Sequence, residues 1–308
     1  MMYDLVIVGG GPAGTAAGVY ASRKQLNTLL ITSEWGGQSK VSPDIQNWVG
    51  TPSISGEALA KELEAHLKAY AGDFVHIHEN AHVTNLEKSG DHFLVHRSEG
   101  EPVETRAVLI TSGSGRRKLG VPGADEFEHK GLTYCATCDG PLFAGKDVVV
   151  VGGGNAGFET AAQLTAYCNS VTLLHRGDQY KADPVTVEKV LGNEKMTGIL
   201  NAQTVKVTGE NFVTGLTYKI GDDGEEQTLD VGGIFVEIGL VPNTDFAASL
   251  VELDDYKRVK IDPWTQQTNV PGVWAAGDCT NVKYHQNNIS AGDAVRALED
   301  IYVHLKTK

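Results

Sequence analysis

Two stretches of the chain carry the same pattern of apolar and small residues. Leu5-Val-Ile-Val-Gly-Gly-Gly-Pro-Ala-Gly14 is answered by Val148-Val-Val-Val-Gly-Gly-Gly-Asn-Ala-Gly157. Each opens as an unbroken aliphatic run, the mark of a strand buried on both faces rather than one. Glycines follow, and then helical spacing over Ala13–Arg23 and Ala156–Tyr167. A further apolar strand closes each unit, Thr28–Thr32 in the first and Ser170–His175 in the second. The pattern is β-α-β written twice, which predicts two parallel, doubly wound sheets. Between them, Ala81–Leu86, His92–His96 and Pro102–Arg106 predict a short antiparallel meander, after which Val108–Gly115 predicts a return to a buried strand. Near the end, Gly272–Asp278 reads as strand and turn. Ser290–Lys306 reads as a helix with Ala294, Ala297, Leu298 and Ile301 on its apolar stripe.

Gly113–Gly123 and Gly239–Asn243 are candidate hinges, since each carries glycine or proline between apolar strands. The expected architecture is therefore α/β. It comprises two doubly wound Rossmann-like domains, the second inserted into the first, with small antiparallel β meanders. Residues 1–114 plus 245–308 form the discontinuous first domain and residues 115–244 the inserted one.

Composition narrows the classes of function. The chain has 308 residues, 41% of them hydrophobic, enough to bury two cores. Its 36 glycines against 10 prolines suggest tight turns and close backbone approach rather than disorder. A net charge of −13 argues against nucleic acid or an anionic membrane as partner. No apolar run approaches the roughly 18 residues of a membrane span. The first residues lack the basic start of a signal peptide, so a cytoplasmic location is expected. Four cysteines are too few for a disulfide framework, which turns attention to redox or metal chemistry.

Gly9-x-Gly11-x-x-Gly14 and Gly152-x-Gly154-x-x-Gly157 each stand between a strand and a helix. In that context the first glycine makes the turn, the second admits a pyrophosphate, and the third lets helix and strand pack. Pro12 and Ala13, and Asn155 and Ala156, open the two helices beside the expected dinucleotides. The alternative is a turn that uses glycine for geometry alone. At the end of the inserted unit's second strand stand His175 and Arg176, with Lys181 beyond. Basic residues there suit a 2′-phosphate and favour NADPH over NADH. A solvated basic pair is the alternative. The corresponding place in the first unit is Glu34, slightly late for a ribose contact.

Cys135-Ala-Thr-Cys138-Asp139 is the sharpest feature. Thiols at this spacing can close a small disulfide and exchange through a mixed disulfide. A zinc site would need two further ligands, and no second Cys-x-x-Cys supplies them, so no metal is expected. Two inert buried thiols are the other alternative. Asp139 could act as a general acid toward a leaving thiolate or flavin, or could serve only as a turn or helix cap. Cys168 and Cys279 are expected to be core residue and bystander. Histidines 66, 76, 78, 82, 92 and 96 are expected to face solvent.

Gly9–Gly14, Gly36-Gly-Gln38, Asn47-Trp48, Cys135–Gly140, Gly152–Gly157, Ala275-Ala-Gly-Asp278 and Gln286 occur in this order, and together they resemble the low-molecular-weight thioredoxin reductases. The chain is also similar to the C-terminal, flavin-binding part of the alkyl hydroperoxide reductase flavoprotein. The resemblance covers essentially the whole chain. It implies FAD on the first βαβ unit and NADPH on the inserted one. It implies that Gly36, Gly37, Gln38, Asn47 and Gln286 lie around the flavin, that Asp278 holds its ribityl or phosphate region, and that Val83 belongs to the cofactor-binding set. Cys138 would be the sulfur beside the flavin, Cys135 the attacking thiol and Asp139 the acid. Lys181 stands where the reductases usually carry Arg, and so does His285. His175 stands where the hydroperoxide-reductase flavoproteins usually have an acidic residue. The implied enzyme passes electrons from NADPH to FAD, to the Cys135–Cys138 disulfide, and on to a thioredoxin-like protein that is a separate chain. The implied assembly is a homodimer. Domain rotation about the two hinges is implied as well. A related reductase is the alternative, with NADH or an electron-carrier protein as donor, or with oxygen or a peroxiredoxin- or glutaredoxin-linked acceptor. A redox- or nucleotide-sensing module is the non-enzymatic one.

Overall fold

The structure is a computed structural model that describes residues 2–42 and 44–307. The chain divides into two compact units, one of Met1–Val41, Trp48–Gly115 and Val241–Lys308, the other of Ser42–Asn47 and Arg116–Leu240. The first unit begins with β1 (Tyr3–Gly10), α1 (Pro12–Arg23), β2 (Thr28–Trp35), α2 (Gly56–Ala71) and β3 (Val75–Glu79). It continues through β4 (Val83–Ser89), β5 (His92–Arg97), β6 (Val103–Ile110) and β7 (Ser114–Arg116), where the chain crosses into the second unit.

The second unit holds β8 (Leu132–Thr133), α3 (Ala136–Asp139), β9 (Asp147–Val151), α4 (Asn155–Leu164), β10 (Ser170–Leu174), α5 (Pro184–Leu191) and β11 (Met196–Ile199). β12 (Ala202–Gly209), β13 (Val213–Ile220), β14 (Glu226–Asp230) and β15 (Gly233–Val236) follow, and β16 (Leu240–Pro242) carries the chain back. β17 (Val273–Ala275) and α6 (Asn287–Thr307) complete the first unit. The two crossing strands, β7 and β16, pair as a two-stranded sheet.

The first unit is built on a seven-stranded sheet of order β3-β2-β1-β6-β5-β4, with β17 also on β6. The expected break between Pro102–Arg106 and Val108–Gly115 is absent. β6 is one strand because β1 pairs along its whole length, from Tyr3↔Thr105 to Val8↔Ile110. Its other edge is shared, antiparallel to β5 at Val103–Thr105 and parallel to β17 at Val108–Ile110. The unbroken aliphatic runs are explained by burial of both faces. Leu5, Ile7, Leu30 and Leu109 pack in one core with Leu298 and Ile301 of α6, while Val6, Val8, Ile31 and Val108 pack in another with Phe93 and Val259.

The second unit repeats the plan with a five-stranded sheet of order β11-β10-β9-β15-β8, in which every registered pair is parallel. Val148, Val150 and Phe235 face the core beneath α4, and Val149, Ile234 and Val236 face the core shared with the β12-β13-β14 meander. Two boundaries depart from expectation. α4 ends at Leu164 rather than Tyr167, and α6 starts at Asn287 rather than Ser290. Residues 42–47, expected within the first domain, group with the second unit.

Candidate active site

The two glycine turns are built alike. Gly9 and Gly152 have φ of +118° and +132°, where a side chain is strained, and a Cβ would also collide with the carbonyl oxygen of Thr111 or of Glu237. Gly14 and Gly157 bring their helices against the carbonyls of Gly9 and Gly152, leaving no room for a methyl group. Gly11 and Gly154, the N-caps of α1 and α4, face open space, and neither helix start has a side-chain cap. Each turn thus offers uncapped helix N–H groups, the positive end of a helix dipole, and no Cβ between them and an approaching phosphate. These residues fit two dinucleotides.

Around the first turn, Gly36 N donates to Gly10 O at 3.0 Å, and a Cβ on Gly37 would come within 3.7 Å of Gly11 Cα. Glu34 lies in a cleft of about 330 Å³ at the end of β2, with Trp35, Lys40 and Lys61 among its walls. Gln38 is exposed beside this turn. Asp278 is half-buried after β17. It accepts from Ser290 Oγ at 3.1 Å, and His285 Nδ1 lies 3.4 Å from the same oxygen. Gln286 precedes α6 and its carbonyl accepts from Ser290 N at 2.9 Å. Val83 is buried in the sheet's core. Asn47 lies in the 42–47 segment, which groups with the second unit.

Around the second turn, Lys181 N donates to Gly153 O at 2.8 Å, which ties the loop after β10 to the glycines. Asn155 Oδ1 accepts from Asp183 N at 2.9 Å in the same loop. Arg176 and Lys181 are exposed, as a phosphate contact requires. His175 differs. Its ring is buried under Gly153 and beside Tyr180, Nε2 has no hydrogen-bond partner among the described residues, and burial pushes its pKa down. The ring packs against the turn, while Arg176 and Lys181 are the exposed basic side chains.

Cys135 and Cys138 form a disulfide with Cα atoms 5.3 Å apart. Cys135 caps α3, and its sulfur accepts from Cys138 N at 3.2 Å, a bond that favours a thiolate there once the disulfide opens. Asp139 is buried one residue on. Thr133 Oγ1 donates to its Oδ2, and Ser42 Oγ donates to its Oδ1 at 3.4 Å. Burial outweighs these two bonds and raises its pKa above the usual carboxylate range. A carboxyl held toward its protonated form beside a disulfide can deliver a proton to a departing sulfur.

Cys168 and Cys279 are free and buried; burial raises both pKa values, that of Cys279 to about 11. Histidines 66, 76 and 82 are exposed, but 78, 92 and 96 are half-buried, with polar partners such as Arg97 and Glu87. Among the described residues, no three His, Cys, Asp or Glu side chains group as a metal site, and no helix is long and apolar enough to cross a membrane.

Residues 3–294 match the model of the pyridine nucleotide-disulphide oxidoreductases. The chain belongs to that family. Membership implies a flavin and a pyridine nucleotide. Among curated relatives, the chain is 40% identical to an NADH dehydrogenase of Ferdinandcohnia aciditolerans, over 96% of this chain and 56% of the relative. It is 39% identical to an alkyl hydroperoxide reductase component of Escherichia coli, over 96% of this chain and 57% of the relative. It thus spans little more than half the length of these relatives. Among solved structures it is similar to thioredoxin reductase from Giardia duodenalis, with a TM-score of 0.91 at 31% identity, covering 99% of each chain. The fold is that of the low-molecular-weight thioredoxin reductases, as the sequence motifs implied.

Sequence reasoning missed Thr133, Ser42, Thr160 and Glu237. Thr133 gave the faint signal of a hydroxyl shortly before the cysteines. Glu237 gave a clearer one, as a charge directly after the buried strand Gly233–Val236.

Proposed function

We propose that the chain is an NADPH-dependent flavoprotein disulfide reductase that serves a thioredoxin-like protein. The observation that carries this reading is the Cys135–Cys138 disulfide beside a buried Asp139 whose pKa burial raises, on the same unit as a glycine turn built for a nucleotide. In it, residues 1–114 and 245–308 hold FAD through the Gly9–Gly14 turn, Glu34, the Gly36–Gln38 turn and Asp278. Residues 115–244 hold NADPH through the Gly152–Gly157 turn, with Arg176 and Lys181 on its 2′-phosphate. FAD, when bound, supplies the two-electron relay between nicotinamide and disulfide. Opening the disulfide takes two electrons and leaves two sulfurs to be charged or protonated. The Cys138 amide stabilises a thiolate on Cys135, and Asp139 can supply a proton. Cys135 then attacks the partner's disulfide, and Cys138 closes the cycle by displacing it.

A second reading keeps this machinery with NADH as donor. The name of a relative 40% identical, NADH dehydrogenase, favours it, as does the burial of His175, which leaves one basic side chain fewer to meet a 2′-phosphate. Steady-state reduction of thioredoxin with each coenzyme separates the readings. NADPH is expected to have the higher kcat/KM. Arg176→Ala should cost NADPH about one to two decades, the worth of a charge-assisted hydrogen bond, and leave NADH nearly unchanged. Equal kinetics in the unaltered chain would favour the second reading. Cys135→Ser should abolish thioredoxin reduction in either case while flavin reduction by the coenzyme continues.

A further inference from the structure

Glu237 lies where a doubly wound sheet binds its ligand. β9 continues through α4 to β10 on one side, while β15 lies on its other side, so the crevice outside the carboxyl ends of β9 and β15 is the topological switch point. Glu237 directly follows β15, its N–H donates to Val151 O at 2.8 Å, and its carbonyl lies against Gly152. Its side chain is 9% exposed. Thr160 Oγ1 of α4 donates to Oε1 at 2.9 Å. Oε2 accepts no hydrogen bond among the described residues, and the guanidinium of Arg116, from β7, is 4.0 Å from it. Glu159 of α4 adds a like charge nearby. One oxygen is thus fixed by a hydroxyl, while the other, held only by the longer ion pair with Arg116, keeps room for a donor from a ligand.

We propose that Glu237 is a specificity-determining residue of the nicotinamide site, whose free oxygen accepts the carboxamide N–H of the coenzyme and whose charge favours the cationic, oxidised ring over the neutral, reduced one. This rests on the nucleotide reading of the second unit given above. The physical basis is Coulombic. Hydride loss leaves a positive nicotinamide ring, and a carboxylate in a water-poor crevice attracts it more strongly than it would in bulk water. Burial pushes the Glu237 carboxyl up to about 7, against the opposing pull of Arg116 and Thr160. The group therefore gains charge as pH rises from 6 to 8. Preference for the oxidised ring is expected to rise over that interval, and binding of the oxidised coenzyme near pH 7 is expected to release a proton.

The test compares the FAD-loaded protein's affinity for NADP⁺ with that for its tetrahydronicotinamide analogue, which is neutral and donates no hydride. Isothermal titration at pH 6 and pH 8 gives the ratio, in which titration of the shared 2′-phosphate cancels. The ratio should shift about tenfold toward NADP⁺ at pH 8, the equivalent of one pKa unit. Glu237→Gln should flatten it. Thr160→Val keeps the carboxyl but removes a bond to its charged form, so it should move the midpoint to higher pH, which a purely structural role would not do. A flat ratio in the unaltered protein, or an unchanged slope in Glu237→Gln, would overturn the proposal. If neither nucleotide binds, the nucleotide reading of the second unit falls with it. If both bind with a flat ratio, only the role of Glu237 falls.

Discussion

Burial fixes the chemistry of Asp139 before any substrate arrives. Desolvation raises its pKa, and the bonds from Thr133 and Ser42 only partly offset this. Because the folded pKa lies above the unfolded one, the native state holds a proton that the unfolded chain has already released. This carboxyl's effect on stability is therefore least costly below the unfolded pKa, and stability is lost as pH rises through the folded pKa. Asp139→Asn should remove that pH slope and raise the melting temperature at pH 8 relative to the unaltered protein. Turnover with a protein disulfide should fall about 10²–10⁴-fold, the usual worth of a general acid. Thermal scans across pH and stopped-flow kinetics read the two effects separately. A stabilised variant with undiminished turnover would make Asp139 a cap and no acid.

In the glycine turns, position decides what a methyl group does. At Gly157 a Cβ would collide with the Gly152 carbonyl, so Gly157→Ala must part helix from strand, and overpacking of this kind costs about 1–3 kcal/mol. At Gly154 nothing lies within 4 Å, so Gly154→Ala should fold with nearly unchanged melting temperature and lose coenzyme affinity instead. Calorimetric melting and nucleotide titration of the two variants check this; similar losses of stability in both would contradict it. The roles were legible in the sequence because a strand buried on both faces leaves no choice of residue, and the glycines end it. The cysteine pair was legible for a like reason, since its spacing is local. What could not be read depends on distant partners. β6 is continuous only because β1, β5 and β17 converge on it. The 42–47 segment groups with the second unit through contacts that no spacing records. Glu237 stands out in sequence, but the hydroxyl that holds it comes from Thr160, 77 positions earlier.

Electron transfer through the whole molecule sets a further demand. The cysteine pair and the Gly152–Gly157 turn ride on one unit, and the Gly9–Gly14 turn, proposed above to carry the flavin, rides on the other. Nicotinamide and disulfide must each come to the same flavin, and hydride transfer needs reacting atoms within about 3–3.5 Å. A sulfur in contact with the flavin ring would crowd that space. Once reduced, Cys135 must also meet a bulky protein disulfide. Turnover should therefore require the second unit to rotate about its two crossings, β7 and β16, which are short, paired and flanked by Gly113 and Gly239, both at positive φ. Two such crossings make a hinge that large backbone changes can use. A photocleavable cross-link that ties the units together with the disulfide against the flavin provides the test. Turnover with thioredoxin should drop to near zero in the tied enzyme and recover after illumination. Full turnover in the tied enzyme would mean that both donors reach opposite faces of the flavin in one arrangement, and the rotation would be refuted.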